Sequence, residues 1–226
     1  MKAMLLAAGR GMRMRPLTDH TPKPLLQAGG KSLIAWHIEN LARAGINEIV
    51  INHAHLGQQI ENTLGDGGKF HVRITYSPEN PALETAGGIA QALPLLGDAP
   101  FAVINSDIYC DYDFTQLPVR AIALAEHGDA AHLVLVHNPA HHPDGDFNLQ
   151  NGRVSDHAPK LTFSGIGVYQ PDLFVNIPRG NSAQLAPLLR AQMAQNRVSG
   201  ELYNGQWVDV GTPQRLEELD HNLRSP

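Results

Sequence analysis

The chain reads as an α/β fold: a doubly wound mixed sheet with an antiparallel extension in its C-terminal half. Three observations predict it. Short apolar strands alternate with amphipathic helices up to Asp107, a glycine-rich loop follows the first strand, and hairpin signals take over after Val136.

Lys2 to Ala8 is an apolar run that reads as a buried strand and opens into "GRGMRMRP". In "GGKSLIAWHIENLARAGI" the residues Leu33, Trp36, Leu41 and Ala44 fall at helical spacing, with Ser32 as the N-cap and Gly45 as the stop. "EIVINH" is the next strand, "LGQQIENTLG" a helix ending at Gly65, and "VRITYS" a third strand. "ETAGGIAQALPLL" reads as a helix despite its glycines and Pro94, and "FAVINSD" as an apolar strand with a polar end. Alternation of this kind implies parallel strands, which bind ligands at their carboxyl ends where the strand order reverses. Loop 9–23 and Asn105-Ser106-Asp107 are therefore expected to face one crevice.

Beyond Val136 the chain is rich in turn residues. Asn151-Gly152 between "DFNLQ" and "RVS" is a type I′ hairpin signal, and Asn204-Gly205 between "GELY" and "QWVDV" repeats it. Helices near 184–195 and 213–224 close the chain. With 226 residues, 42% of them hydrophobic, one domain spanning 1–226 is expected.

A net charge of −5 argues against a nucleic-acid surface or an anionic-membrane surface. The charge is uneven, however: Met1 to Leu25 carries Lys2, Arg10, Arg13, Arg15 and Lys23 against Asp19 alone. An anionic ligand is implied. Cys110 is the only cysteine, which excludes an intrachain disulfide and fits a reducing cytoplasm. The apolar stretch before Arg10 is too short for a signal or a membrane span, so a cytoplasmic protein is expected.

Gly9-Arg10-Gly11 fails the dinucleotide fingerprint because Met14 stands at its last glycine, and no Gly-Lys-Ser/Thr follows to make a P-loop. The loop ends with Lys23 between Pro22 and Pro24, where the prolines stiffen the backbone around the ammonium. Glycines that bring N–H groups close and arginines that add charge suit a polyphosphate. Asp107 ends an apolar strand, and Asp209 lies between two valines in "WVDVGTP". Such acids are costly unless paired or bound to metal, and two of them beside a phosphate loop make a Mg²⁺ pair. The histidines His53, His55, His137, His141 and His142 lack both a cysteine partner and H-E-x-x-H spacing, which disfavours zinc. Ser164 lacks the G-x-S-x-G frame of a hydrolase nucleophile. Trp36 reads as core, and Trp207 as packing beside Asp209.

Together, "LLAAGRGMRMRPLTDHTPKPLL", "LETAGGI", "NSD" and "WVDVGTP", in that order, resemble the sugar-1-phosphate nucleotidyltransferases over nearly the whole chain. The resemblance implies a Rossmann-like fold, with 1–136 as the nucleotide-binding half and 137–226 as the sugar-phosphate half. It implies that Ala7, Ala8 and Gly9 lie under the base and that Gly11, Met12 and Arg13 hold triphosphate oxygens. Lys23 would neutralise the reacting phosphate, with Arg13 and Asp107 beside it in catalysis. Gly87 and Gly88 would let the chain pass close to the nucleoside, Asn105, Asp146, Gly165 and Glu201 would bind the sugar, and Asp107 and Asp209 would hold Mg²⁺. Many members have Thr or Ser at the position of Met12, so phosphate contact there falls to the backbone.

The implied substrates are a nucleoside triphosphate and a sugar 1-phosphate, handled by a monomer or small homo-oligomer. Within the family, segments such as "INHAHLGQQIENTLGDG" and "VSGELYNGQWVDVGT" resemble members acting on UTP and N-acetylmuramate 1-phosphate in peptidoglycan recycling, and the resemblance implies those substrates. His137, His141, His142, Arg153 and Lys160 are candidates for that acceptor's lactyl carboxylate. The alternatives are a guanylyl or other nucleotidyl transfer to another phosphorylated sugar, such as mannose 1-phosphate, and a nucleotide-sensing subunit without chemistry.

Overall fold

A computed structural model describes residues 1–224. In chain order the elements are β1 (Ala3–Ala7), β2 (Gln27–Ala28), β3 (Lys31–Ser32), α1 (Leu33–Arg43), β4 (Glu48–His53), α2 (Gly57–Leu64), β5 (Arg73–Pro78), α3 (Glu84–Leu96) and β6 (Phe101–Asn105). There follow β7 (Ile108–Cys110), α4 (Gln116–His127), β8 (Ala131–Val136), β9 (Asn148–Gln150), β10 (Arg153–Ser155), β11 (Thr162–Tyr169), α5 (Leu185–Met193), β12 (Val198–Leu202), β13 (Trp207–Asp209) and α6 (Pro213–Arg224).

Nine strands form one sheet in the order β5-β4-β1-β6-β11-β8-β12-β10-β9. The first four are mutually parallel. β11 runs antiparallel to both β6 and β8, β12 is parallel to β8, and β10 and β9 close the edge as a hairpin. This is the expected mixed sheet with its antiparallel extension. The chain goes from β1 to β4 and β5 on one side, then returns to place β6 on the other, so the order reverses between β1 and β6. A ligand crevice belongs there.

Side chains alternate across β1, which explains the two layers of helices. Ala3, Leu5 and Ala7 pack with Ile34 and Ile38 of α1 and Ile60 of α2. Met4 on the opposite face joins Ile89 of α3 and Leu189 of α5. A smaller cluster ties Met14, Leu26 and Leu33 to Val210, Leu216 and Leu219, so α6 braces the basic loop from behind. Among the described residues no helix is long and apolar enough to cross a membrane. The last two residues of the expected 1–226 domain lie outside the described residues.

Asn151 and Gly152 have φ of 52° and 75°, the left-handed pair a type I′ turn needs, and Gln150 faces Arg153 across it. The second Asn-Gly is no hairpin. β12 pairs with β8, while β13 crosses to pair with β7, and neither Asn204 nor Gly205 has a positive φ. Asp111 diverts the link: its carboxylate accepts the Gln206 N–H at 2.7 Å and the Tyr203 hydroxyl. Ser32 precedes α1 with an extended backbone but makes no side-chain cap, and the first helical N–H, from Leu33, goes to the Leu26 carbonyl at 2.9 Å. The helix α4 had no counterpart in the sequence reading, although Leu117 and Leu124 at helical spacing form its buried face.

Candidate active site

The loop after β1 is folded on itself before it meets any ligand. Gly11 has φ +67°, and a Cβ there would lie 2.9 Å from Thr18 Cγ2 and 3.3 Å from Lys23 Cβ. The Thr18 hydroxyl donates to the Gly11 carbonyl at 2.8 Å, and Arg10 donates to the Thr18 carbonyl at 2.8 Å. Arg15 and Arg10 both reach Asp19, at 2.8 and 3.4 Å. The Arg15 hydrogen bond holds the Asp19 carboxyl below its ordinary range, opposed by desolvation and helped further by the Arg15 charge and by Arg10. Part of the basic charge is therefore spent inside the loop. Arg13 is exposed and has no hydrogen-bond or ion-pair partner among the described residues.

Lys23 is buried between its two prolines, and its Nζ lies 2.6 Å from Asp107 Oδ2 in the turn that follows β6. Around this pair lie three connected crevices. The first, about 360 Å³, runs between the carboxyl ends of β1 and β6 along Ala7, Ala8, Gly9 and Arg10 to the start of α3. A second, about 280 Å³, is walled by Phe147, Phe163 and Leu185 and carries Asp146 and Gly165. The third, about 350 Å³, holds Arg13, His141, His142, Asp107 and Asp209 under Trp207. Asn105 lines all three. Gly165 has φ +83° at a bulge in β11, and a Cβ there would stand 2.7 Å from Asn105 Nδ2. Its missing side chain keeps the amide free at the junction.

Asp107 and Asp209 come together through the β7–β13 pair. The Val210 N–H donates to the Asp107 carbonyl at 3.0 Å, and Asp209 sits opposite Ile108. Asp209 accepts from Arg215 at 2.7 Å, and the same guanidinium group donates to His141 Nε2 at 2.6 Å. Each carboxylate thus has a cation beside it, and both line the third crevice. The donor set is two hard oxygen ligands, with no group of three His, Cys, Asp or Glu gathered among the described residues. That set fits an ion of the Mg²⁺ type, which keeps most of its positions for water and phosphate oxygens.

A model of the family described as nucleotidyl transferase matches residues 2–225. The chain belongs to this family. It is 59% identical to the N-acetylmuramate alpha-1-phosphate uridylyltransferase of Neisseria meningitidis, over 96% of both chains. It is 31% identical to the catalytic subunit beta of mannose-1-phosphate guanylyltransferase from Dictyostelium discoideum, over 95% of this chain and 62% of that one. Among solved structures, a Bacillus anthracis protein described as a glucose-1-phosphate thymidylyltransferase superposes with a TM-score of 0.86 at 22% identity, covering 100% of this chain and 96% of the other. At that identity the likeness concerns the fold.

In this nucleotidyl transferase not every expected residue reaches the crevices. Gly87 and Gly88 are buried and line none of the three. A Cβ on Gly87 would strike the Asn181 carbonyl, and one on Gly88 would lie 2.5 Å from Glu79 Oε1 and 2.9 Å from Asn52 Nδ2. They make room for neighbouring chain and for a buried hydrogen bond at the start of α3. Glu201 also lies away from the crevices, accepting hydrogen bonds from Tyr112 and Arg120. Desolvation raises its pKa, but His132, Tyr112 and Arg120 outweigh it and bring the carboxyl down to about 2. Glu201 thus sits in an internal ionic knot with Tyr112, Arg120 and His132. Met12 is exposed and lines none of the crevices.

Of the five basic candidates in the C-terminal half, Arg153 forks onto Asp129 at 2.8 Å, Lys160 pairs with Asp156 and His137 with Asn204. Only His141 and His142 enter the third crevice. The sequence reading missed Asn52 and Glu79. Asn52 Oδ1 accepts the Ala7 N–H at 2.9 Å, its Nδ2 donates to Glu79 at 2.6 Å, and Glu79 accepts the Leu83 N–H at 2.8 Å. This chain of bonds fixes the end of β1 to the start of α3, the two walls of the first crevice. A polar Asn inside the apolar strand "EIVINH" was the available signal.

Proposed function

We propose that this chain transfers a uridylyl group from UTP to N-acetylmuramate α-1-phosphate with release of pyrophosphate. The substrates that fit the family are a nucleoside triphosphate and a sugar phosphate. The finer assignment is supported by the 59% identity to the Neisseria meningitidis uridylyltransferase, which extends over 96% of both chains. The observation that carries the chemistry is the buried Lys23 against Asp107 at the strand-order reversal.

An oxygen of the sugar 1-phosphate attacks the α-phosphorus, a new P–O bond forms, and the bond to the β-phosphate oxygen breaks as pyrophosphate leaves. The attacking phosphate is already ionised at neutral pH, so the site must neutralise and align two anions rather than remove a proton. Lys23, held rigid by its prolines, places one positive charge at the reacting phosphate, and Arg13 offers a second with no internal partner to surrender. Asp107 and Asp209 would hold Mg²⁺, in keeping with the divalent metal generally used by the family. When bound, the ion supplies Lewis-acid neutralisation of phosphate oxygens. Asp146 and Asn105 would take sugar hydroxyls in the second crevice. His141 and His142 are the basic groups placed to meet a lactyl carboxylate.

The test is pyrophosphate release measured side by side for UTP with N-acetylmuramate 1-phosphate, UTP with glucose 1-phosphate, and GTP with mannose 1-phosphate. The first pair should be fastest, because a site that pairs with a substrate group discriminates against analogues lacking it. Preference for GTP with mannose 1-phosphate would replace the substrate assignment. No pyrophosphate from any pair would favour a binding protein without chemistry.

A further inference from the structure

Glu84 is the first residue of α3 and lines both the first and the second crevice. Its φ is +62°, a left-handed conformation that glycine adopts freely and residues with a Cβ rarely adopt. Five non-glycine residues share a positive φ among the described residues, and Glu84 alone of them lines these crevices. Its side chain is exposed and has no hydrogen bond or ion pair among the described residues. An acid in a first helical turn is favoured by the helix dipole, but the neighbouring first-turn positions offer that benefit without left-handed backbone. Strain held at a site without a local structural return points to function.

We infer that Glu84 is a specificity-determining residue whose carboxylate accepts a hydrogen bond from a sugar-ring hydroxyl of a bound substrate. An ionised carboxylate is an acceptor only, so its partner must bring a proton, and it repels phosphates. Lys23, the cation that suits a phosphate, stands in the first crevice, whereas Asn105 and Thr85 accompany Glu84 at the junction with the second. Two substrates carry such hydroxyls there, the ribose of the nucleotide and the pyranose of the acceptor. The inference rests on the reading of these crevices as nucleotide and sugar-phosphate sites.

The experiment compares wild type with Glu84→Gln and Glu84→Gly, varying UTP, 2′-deoxy-UTP, 3′-deoxy-UTP and N-acetylmuramate 1-phosphate in turn. Losing a hydrogen bond to a charged acceptor should raise one KM by about 10- to 100-fold. Glycine relieves the backbone, so Glu84→Gly should melt at or above the wild-type temperature. If the ribose is the partner, KM for UTP rises and one deoxy analogue becomes nearly as good as UTP. If the pyranose is the partner, only the acceptor KM rises. Unchanged KM for both substrates, or a fall in kcat alone, would overturn the inference. Should wild type prefer a different substrate pair, the same variants are assayed with that pair, so a wrong substrate assignment is seen separately from a silent Glu84.

Discussion

Lys23 Nζ stands 2.6 Å from Asp107 Oδ2, joining residues 84 positions apart at the strand-order reversal. The lysine side chain is 8% exposed, the aspartate 38%. The ammonium is thus fixed by the fold while the carboxylate remains open to the crevice, so the pair can be re-partnered by ligands without exposing the lysine.

Replacing Lys23 by alanine should reduce kcat by about 10²–10³, roughly 3–4 kcal/mol, as for other preorganised stabilisers of transition-state charge. Asp107 is left with water access, so folding should survive. Circular dichroism of the variant should match wild type. Wild-type turnover in Lys23→Ala would remove the lysine from the mechanism.

Asp107→Asn and Asp209→Asn should each abolish metal-dependent turnover, and EDTA should silence the wild-type enzyme until Mg²⁺ is restored. The two variants should differ in one respect. Asp209 also holds Arg215, which in turn reaches His141, so its loss should also disturb acceptor binding. A protein fully active in EDTA would contradict the assignment of both.

Much of this arrangement was legible in the sequence, and the failures have identifiable causes. The helix Glu84–Leu96 and the Asn151-Gly152 turn are local, set by apolar spacing and by residues that tolerate positive φ. The second Asn-Gly misled because Asp111, more than ninety residues earlier, takes over the chain around Gln206. The surplus of basic residues in the loop implies an anionic ligand, yet Arg15 and Arg10 share Asp19, which spacing alone does not reveal. The strain at Glu84 was invisible because the sign of φ is not written in a sequence. Gly87 and Gly88 are legible in the sequence by their smallness, and the fold uses it for a buried bond between Asn52 and Glu79 and the close approach of Asn181.

That bond yields a stability prediction. Gly88→Ala would place a methyl group 2.5 Å from Glu79 Oε1 and 2.9 Å from Asn52 Nδ2, forcing apart groups that also anchor the Ala7 and Leu83 N–H groups. Overpacking and unpaired buried polar atoms cost about 1–3 kcal/mol each. Chemical denaturation should show a loss of that size, with KM for the nucleotide rising because both crevice walls shift. An unaltered unfolding midpoint would mean the network relaxes freely.

His37 provides the pH dependence. It is buried in α1, its Nε2–H donates to the Ile108 carbonyl at 2.8 Å, and its Nδ1 has no partner, so the imidazole is held neutral. Desolvation lowers its pKa from 6.5 to about 4, with the Ile108 hydrogen bond and the Asp107 charge only partly offsetting it. The unfolded chain therefore binds the proton first as pH falls. Stability from this group is complete above pH 6.5 and declines between 6.5 and about 4, by about 1.4 kcal/mol per unit and about 3 kcal/mol in all. Carboxylates such as Glu201, held down to about 2, lose their contribution only below the ordinary carboxylate range, so from pH 6.5 to 5 they do not mask His37, and the comparison with a His37 variant separates it from the other histidines. Urea midpoints should fall across that interval in wild type and stay nearly level in His37→Gln, which keeps a donor for Ile108 but cannot titrate. Parallel curves for the two proteins would show that His37 is not the group responsible.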